Sequence, residues 1–250
     1  MLSFLFKKKE NIKPDLSFIG VDMHSHLLPG LDDGLQTMED TLLFMERLQQ
    51  LGYRKLICTP HILSDLYPNS PGTILPRLDE VKKAVAARGL AIEVAAGAEY
   101  MVDMEMENYL RDKKQMLSFG NKNVLIEMSY LAESPNIEQV IFEMRMQGYQ
   151  PILAHPERYN FYHQRFEQYQ RFIDLGCLMQ VNLLSLLGYY GKPIKMVAEK
   201  LARNKMIDLL GTDMHHEKHL AALEELATRK EFYTLAEGLD IKNSKLFGSL

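Results

Sequence analysis

Residues able to hold a metal ion or move a proton recur at the ends of short apolar runs. One run ends in Asp22-Met-His24-Ser-His26, another in Thr59-Pro-His61, others in Gly97-Ala-Glu99-Tyr100, His155-Pro-Glu157-Arg158 and Thr212-Asp213-Met-His215, and a sixth carries Glu127. His24 and His26 are two apart, so on an extended strand both side chains leave the same face. Asp213 and His215 repeat that spacing. Imidazole and carboxylate together are ordinary donors for divalent metals. Carboxylates crowded without a cation would repel and be driven towards protonation. A single His-x-His is a weak signal, but ligand types at six strand ends make coincidence a poor explanation. The chemistry this implies is metal-assisted.

Such residues can meet only if the elements carrying them bring their ends together. Apolar runs lie at Ile19–Met23, Lys55–Thr59, Ile92–Ala98, Val124–Met128, Pro151–Ala154, Cys177–Asn182 and Met206–Thr212. Helical patterns lie between them. Thr37 with Asp40 resembles a capping box, followed by Met38, Leu42, Met45 and Leu48 at helical spacing. Pro76 opens a stretch with Leu78, Val81 and Val85 on one face, closed by Gly89; Ile137, Ile141 and Met144 lead to Gly148; Pro193 starts a helix with Ile194, Val197 and Leu201 as its stripe. Strands alternating with helices predict an α/β fold with a parallel sheet. In a barrel of parallel strands every C-terminal strand end opens onto one face, where these residues would converge. No linker and no internal repeat interrupts the chain, so residues 1–250 read as a single domain. Residues 1–17 read as a mobile tail, with contact to an anionic membrane or a partner as the alternative; Ile241–Phe247 reads as a last strand or a docked tail.

The segment His24-Ser-His26 followed by Leu-Leu-Pro-Gly-Leu-Asp32-Asp33-Gly34 resembles the opening motif of the PHP (polymerase and histidinol phosphatase) superfamily. Thr59-Pro-His61, Gly97-Ala-Glu99-Tyr100, Ile126-Glu127-Met-Ser, Ala154-His155-Pro-Glu157-Arg158-Tyr159 and Thr212-Asp213-Met-His215 are similar to later motifs of that superfamily, in order, over roughly residues 19 to 216. Asp-Asp-Gly and His-Pro-Glu-Arg favour its metal-dependent bacterial tyrosine phosphatases of capsule and exopolysaccharide clusters. The resemblance implies a distorted (β/α)7 barrel and three divalent metal ions, manganese first, with iron, cobalt or zinc possible. It implies that His24, His26, Glu99 and Asp213 hold one ion, that Asp33, His61 and His215 hold a second, and that Glu127, His155 and a bridging Glu99 hold the third. A metal-activated hydroxide would attack phosphorus while Arg158 meets the phosphoryl oxygens. The implied substrate is a phosphotyrosine protein, the tail of a membrane-associated bacterial tyrosine kinase that controls polysaccharide export. Members of that family often carry an arginine a few residues beyond the last histidine; here the stretch reads His216-Glu217-Lys218-His219, so Lys218 is the candidate substrate-binding charge, though without a bidentate fork. His216 and His219 read as solvated helix-face residues, and His163 as a surface residue. Asp22 reads either as a group orienting a histidine or as part of a strand-end turn. Tyr67, Tyr100, Tyr130 and Tyr159 lie near the motifs and read as packing or as stacking partners for a substrate ring.

Composition narrows the alternatives. The chain has 250 residues, 46% hydrophobic and 25% charged, with a net charge of −4; this is ordinary globular composition, and it lacks the basic excess expected of a nucleic-acid binder. No apolar run approaches the roughly 18 residues of a membrane span. Two cysteines without a Cys-x-x-Cys pair exclude a disulfide framework, and a reducing cytoplasm is the expected compartment. Neither Cys58 nor Cys177 has an arginine at the Cys-x5-Arg offset of cysteine phosphatases, no Asp-x-Asp occurs, and no Gly-x4-Gly-Lys loop is present. Two other readings compete: a small-molecule phosphatase, such as one acting on histidinol phosphate, and a non-catalytic phosphopeptide-binding module.

Overall fold

The structure, a computed structural model, describes residues 12–248. Along the chain come β1 (Val21–Asp22), α1 (Met38–Gln50), β2 (Lys55–Cys58), β3 (His61–Ile62), α2 (Pro71–Arg88), β4 (Glu93–Ala96), β5 (Glu99–Met101) and α3 (Met104–Arg111). There follow β6 (Asn123–Glu127), α4 (Ile137–Met146), β7 (Gln150–Ala154), α5 (Glu167–Asp174), β8 (Leu178–Asn182), α6 (Leu183–Leu187), α7 (Lys192–Arg203), β9 (Leu209–Gly211), α8 (Glu217–Leu226), α9 (Lys230–Ala236) and α10 (Asn243–Phe247). Every named strand pairing is parallel.

The seven apolar runs all contain strands, but the sheet does not close into the expected barrel. Strands β1-β2-β4 form one sheet and β3-β5-β6-β7-β8-β9 another. The chain changes sheet at two breaks. Between β2 and β3 stands Thr59-Pro60, where proline has no N–H to give a ladder. Between β4 and β5 stands Gly97, where a Cβ would lie 2.3 Å from the Phe119 ring. On the other side, β1 and β9 do not form a ladder. A single bridge, Ser25 to Met214, joins the segments just beyond them. The seam is filled from the C-terminus. Buried Asn243 accepts from Leu210 N at 3.0 Å and donates to Val21 O and Leu210 O at 2.9 and 2.7 Å. Ile241–Phe247 is thus a docked tail and not a strand; its helix α10 supplies side-chain hydrogen bonds where the backbone pairing stops.

The helices follow their caps. Thr37 Oγ1 accepts from Asp40 N at 3.1 Å, and α1 buries Leu42, Met45 and Leu48 as its periodicity predicts. Helix α2 begins at Pro71, earlier than Pro76, because Ser70 N donates to Thr73 Oγ1 and sets the first turn there; Pro76 is inside the helix, and Gly89 ends it with φ 74°. Helix α4 starts at Ile137 as expected, and Pro193 lies in the first turn of α7. Residues 1–11 of the expected tail lie outside the described residues. By Leu16 the chain is docked: Leu16 is fully buried and its N–H donates to Leu51 O at 2.7 Å.

Candidate metal centre

The C-terminal strand ends, with the turns that follow them, bring nine residues into one cup: His24, His26, Asp33, His61, Glu99, Glu127, His155, Asp213 and His215. Glu99, fully buried at the start of β5, is the hub. Its Oε2 lies 3.2 Å from His24 Nε2, 3.4 Å from His26 Nε2 and 3.3 Å from His61 Nδ1, and its Oε1 lies 3.1 Å from His155 Nε2. Asp213 Oδ1 faces His24 Nε2, His26 Nε2 and His215 Nδ1 at 3.4, 3.5 and 3.4 Å. Half-exposed Asp33 reaches in from the loop after β1, its Oδ1 3.6 Å from His61 Nε2 and 3.5 Å from His215 Nε2. Four overlapping groups, each with donor atoms within 4.8 Å, result: His26-Asp33-His61-His215, His24-His26-Asp213, His24-Glu99-His155 and His61-Glu99-Glu127. The grouping differs from the sequence-based partition: His26 also adjoins the Asp33 group, Glu99 stands outside the His24-His26-Asp213 group, and Glu127 (with His61) and His155 (with His24) share Glu99 in separate groups.

The donor set fits cations. His61 Nδ1 stands 2.8 Å from Glu127 Oε1 yet off the line of a hydrogen bond, so both atoms are directed at shared space. His155 Nδ1 is buried and has no partner either. Burial alone would lower His24, but Glu99 and Asp213 outweigh it and hold its pKa up at about 9. Glu99 shows the converse: burial would raise it, and the surrounding histidines hold it well below the usual carboxylate range. Without cations the carboxylates hold His24, His26 and His61 above the ordinary imidazole range. Divalent ions replace the protons on those imidazoles directly.

Arg158 closes one side of a cleft of about 240 Å3 over the cup. It sits in the short 3-10 turn Pro156–Arg158 after β7, its guanidinium 4.5 Å from the Tyr130 ring centre and 4.4 Å from that of Tyr190. Its Nη1 donates to Asp213 Oδ2 at 2.8 Å; the adjacent Glu157 points elsewhere and accepts from Ser185 Oγ and Asn182 N at 2.6 and 3.0 Å. Lys218 is exposed on the first turn of α8 and is not among the residues lining the cleft, whereas His216 and His219 are. His219 is not solvated as its sequence position suggested. It is buried, its Nδ1 3.0 Å from Asp213 O, its ring edge-on to Tyr189 and Tyr190, and burial pushes its pKa down to about 4. His163 is half-buried, its Nε2 2.8 Å from Glu157 O. Of the tyrosines, Tyr100 and Tyr159 are packed, their hydroxyls accepting from Leu117 N and Met128 N; Tyr67 stacks beside His61, and Tyr130 lines the cleft.

Several supporting residues are evident only in three dimensions. Asp32, beside the expected ligand Asp33, binds His26 Nδ1 at 2.7 Å and accepts from His61 N at 3.1 Å, orienting the two histidines. Asp22 does not orient an imidazole. It accepts from Thr212 N and Thr212 Oγ1 at 3.0 and 2.6 Å, tying the end of β1 to the segment after β9, and burial raises its pKa to about 6. Tyr190, in the turn after α6, carries no spacing signal; only the fold places it on Arg158. The two cysteines are buried, and burial pushes the Cys58 thiol up to about 12 and the Cys177 thiol up as well; neither is a thiolate nucleophile.

Comparison with known proteins agrees with this geometry. A family model described as capsular polysaccharide synthesis, CpsB/CapC, matches residues 20–233. The chain belongs to the CpsB/CapC family. It is 29% identical over 199 residues to the tyrosine-protein phosphatase YwqE of Bacillus subtilis, covering 79% of this chain and 78% of the relative. It is 25% identical over 229 residues to the putative tyrosine-protein phosphatase CapC of Staphylococcus aureus, covering 90% of each. A solved structure from work on YwqE of Bacillus subtilis and CpsB of Streptococcus pneumoniae, described there as unique metal-dependent tyrosine phosphatases, superposes with a TM-score of 0.75 at 27% identity, covering 87% of this chain and 91% of the other. Histidinol phosphate phosphatase from Lactococcus lactis shares the fold, at a TM-score of 0.51 and 13% identity. Among the described residues of this CpsB/CapC chain, no helix is long and apolar enough to cross a membrane.

Proposed function

We propose that the chain is a metal-dependent phosphotyrosine-protein phosphatase of the cytoplasm, one domain over residues 1–250, whose substrate is a bacterial tyrosine kinase tail controlling capsule or exopolysaccharide synthesis. The observation that carries this reading is the convergence of five histidines and four carboxylates in one cup beneath an arginine, in a chain similar along most of its length to proteins named tyrosine-protein phosphatases. The nine residues of the cup are the proposed ligands of three divalent ions, manganese first, with iron, cobalt or zinc as substitutes. Bound there, such ions supply an activated water and neutralise charge on the phosphoryl group.

The chain's own residues supply the rest. Three divalent ions against four carboxylates leave the cup cationic and suited to a phosphate dianion. Arg158 presents a planar fork to the phosphoryl oxygens, and Tyr130 and Tyr190 keep that fork from swinging into solvent. Tyr130 also offers an exposed aromatic edge to the substrate ring. A phenolate leaving group, with a pKa near 10, departs with less need of an acid than the alkoxide of a serine ester. The test is phosphate release from a phosphotyrosine peptide and from histidinol phosphate, each with and without chelator. Chelator-sensitive release from the peptide supports the proposal. Release from histidinol phosphate alone moves the protein to small-molecule chemistry, and phosphopeptide binding without release makes it a binding module.

A further inference from the structure

Two buried amides on β8 take part in none of the chemistry above. Gln180 and Asn182 are both fully buried, two residues apart, and therefore on one face of the strand. They form a chain of hydrogen bonds between two residues of the cup. Asn182 Nδ2 donates to Asp213 Oδ2 at 2.7 Å, Gln180 Nε2 donates to Asn182 Oδ1 at 2.9 Å, and Gln180 Oε1 lies 2.7 Å from His24 Nδ1.

The direction of this chain is fixed from one end. A carboxylate only accepts, so Asn182 must turn its NH2 to Asp213 and its oxygen to Gln180. Gln180 must then turn its NH2 to Asn182 and its oxygen to His24. An oxygen facing Nδ1 requires the hydrogen on Nδ1, so in the neutral ring the lone pair is on Nε2. Nε2 is the atom that faces Glu99 Oε2 and Asp213 Oδ1. The same contacts divide Asp213: Oδ2 is taken up by Asn182 and Arg158, and Oδ1 is left for the cup. Space for the relay depends on Gly211 at the end of β9. A Cβ there would lie 2.7 Å from Gln180 Nε2 and 2.8 Å from His24 Cβ.

We infer that Gln180 and Asn182 are positioning residues, a directed amide relay that sets the His24 tautomer from the charge on Asp213 and so presents Nε2 to a divalent cation. The inference rests on the metal-phosphatase reading for its purpose, but not for its test. The first readout is the His24 tautomer, from long-range nitrogen–proton NMR on metal-free protein at a pH more than one unit above the His24 pKa of about 9, where most rings are neutral. The second is zinc affinity by competition with a chromophoric chelator. Wild type is expected to show the Nδ1–H form. Gln180→Leu fills the same space without an acceptor, and should give mixed tautomers and zinc binding weakened about 10- to 100-fold. Gln180→Glu keeps an acceptor towards His24, and should retain the Nδ1–H tautomer and bind zinc more tightly than the leucine variant. A packing role predicts the reverse order, since leucine is the better tolerated buried residue. Gly211→Ala, with both amides still present, should shift the tautomer towards that of the leucine variant. A leucine variant with wild-type tautomer and zinc affinity overturns the inference. A wild-type protein that binds no zinc overturns the metal reading instead, and the tautomer measurement still decides the relay.

Discussion

Replacing Arg158 by alanine separates substrate binding from metal binding. Its guanidinium is held between two tyrosine rings and bonded to Asp213 Oδ2. Removing it costs the charge-assisted contact to the transferring group. A donor to developing charge at a water-excluded site is worth about 2.7–4 kcal/mol, or roughly 10²–10³ in kcat. The metal set should survive, because Asp213 Oδ2 keeps its bond from Asn182 Nδ2 at 2.7 Å and Oδ1 keeps its three imidazoles. Arg158→Lys restores a point charge without the fork or the guanidinium's contacts with the Tyr130 and Tyr190 rings, so it should recover only part of the loss. The assay is kcat/KM for phosphate release from a phosphotyrosine peptide, with metal content measured on the same samples. Alanine activity within about threefold of wild type, against the roughly 10²-fold loss expected, refutes the assigned role. Loss of metal in step with activity shows instead that Arg158 supports the cup through Asp213.

Glu99→Ala should lose metal and activity together, since one carboxylate faces four imidazoles; metal content by elemental analysis checks it. Metal-free protein should lose stability as pH rises. His24 has a folded pKa of about 9 against 6.5 ordinarily, so its stabilisation is complete below 6.5 and is lost as pH passes through 9. Added divalent metal should abolish that fall in Tm, and its apparent affinity should rise over the same range as protons are displaced. Gly34→Ala should displace the Asp32–Asp33 loop, because a Cβ there would lie 2.1 Å from His26 O; weaker metal binding by calorimetry is expected, and unchanged binding would show that the loop relaxes freely.

Eight of the nine residues of the cup were legible in the sequence as local features, polar residues of metal-binding type at the ends of apolar runs, and Asp33 was legible only through the motif resemblance. Their supporting residues were not, for a physical reason in each case. Asp32 and Asp33 are adjacent and chemically identical, and only the turn determines which one backs His26 and which one faces the cleft. Gln180 and Asn182 lie inside the Cys177–Asn182 run, where polar residues at alternate positions near a strand end were the available signal of a polar face. His219 shows the opposite error. Its place in the first turn of α8 suggested solvent, but packing by Tyr189 and Tyr190 from a distant loop buries it. The open sheet could not be read at all. Whether a run of parallel strands closes depends on long-range register, and here Pro60, Gly97 and the Asn243 side chain each end or replace a ladder that the apolar pattern would have continued.

Two residues of the cup, His155 and Asp213, adopt left-handed backbone, with φ 35° and 51°. Non-glycine residues held there cost of order 1–3 kcal/mol each and persist only where the surroundings enforce them. At His155 the enforcing contact is local: the turn that carries Arg158 is closed by Arg158 N donating to His155 O at 2.9 Å. The geometry that points an imidazole at Glu99 is therefore the geometry that starts the Arg158 turn, and the strain is the cost of having both. A pair of substitutions reads this strain directly. His155→Ala and His155→Gly both delete the imidazole and its contact with Glu99, so their difference reports the backbone alone. Elsewhere in a folded chain glycine is the less stable of the two by roughly 0.5–1 kcal/mol. At position 155 the order should invert, with glycine more stable by about 1 kcal/mol in denaturant unfolding of the metal-free protein. An alanine variant as stable as the glycine variant, or more so, would show that the turn relaxes without His155 and that the left-handed conformation is imposed by the imidazole rather than by the chain around it.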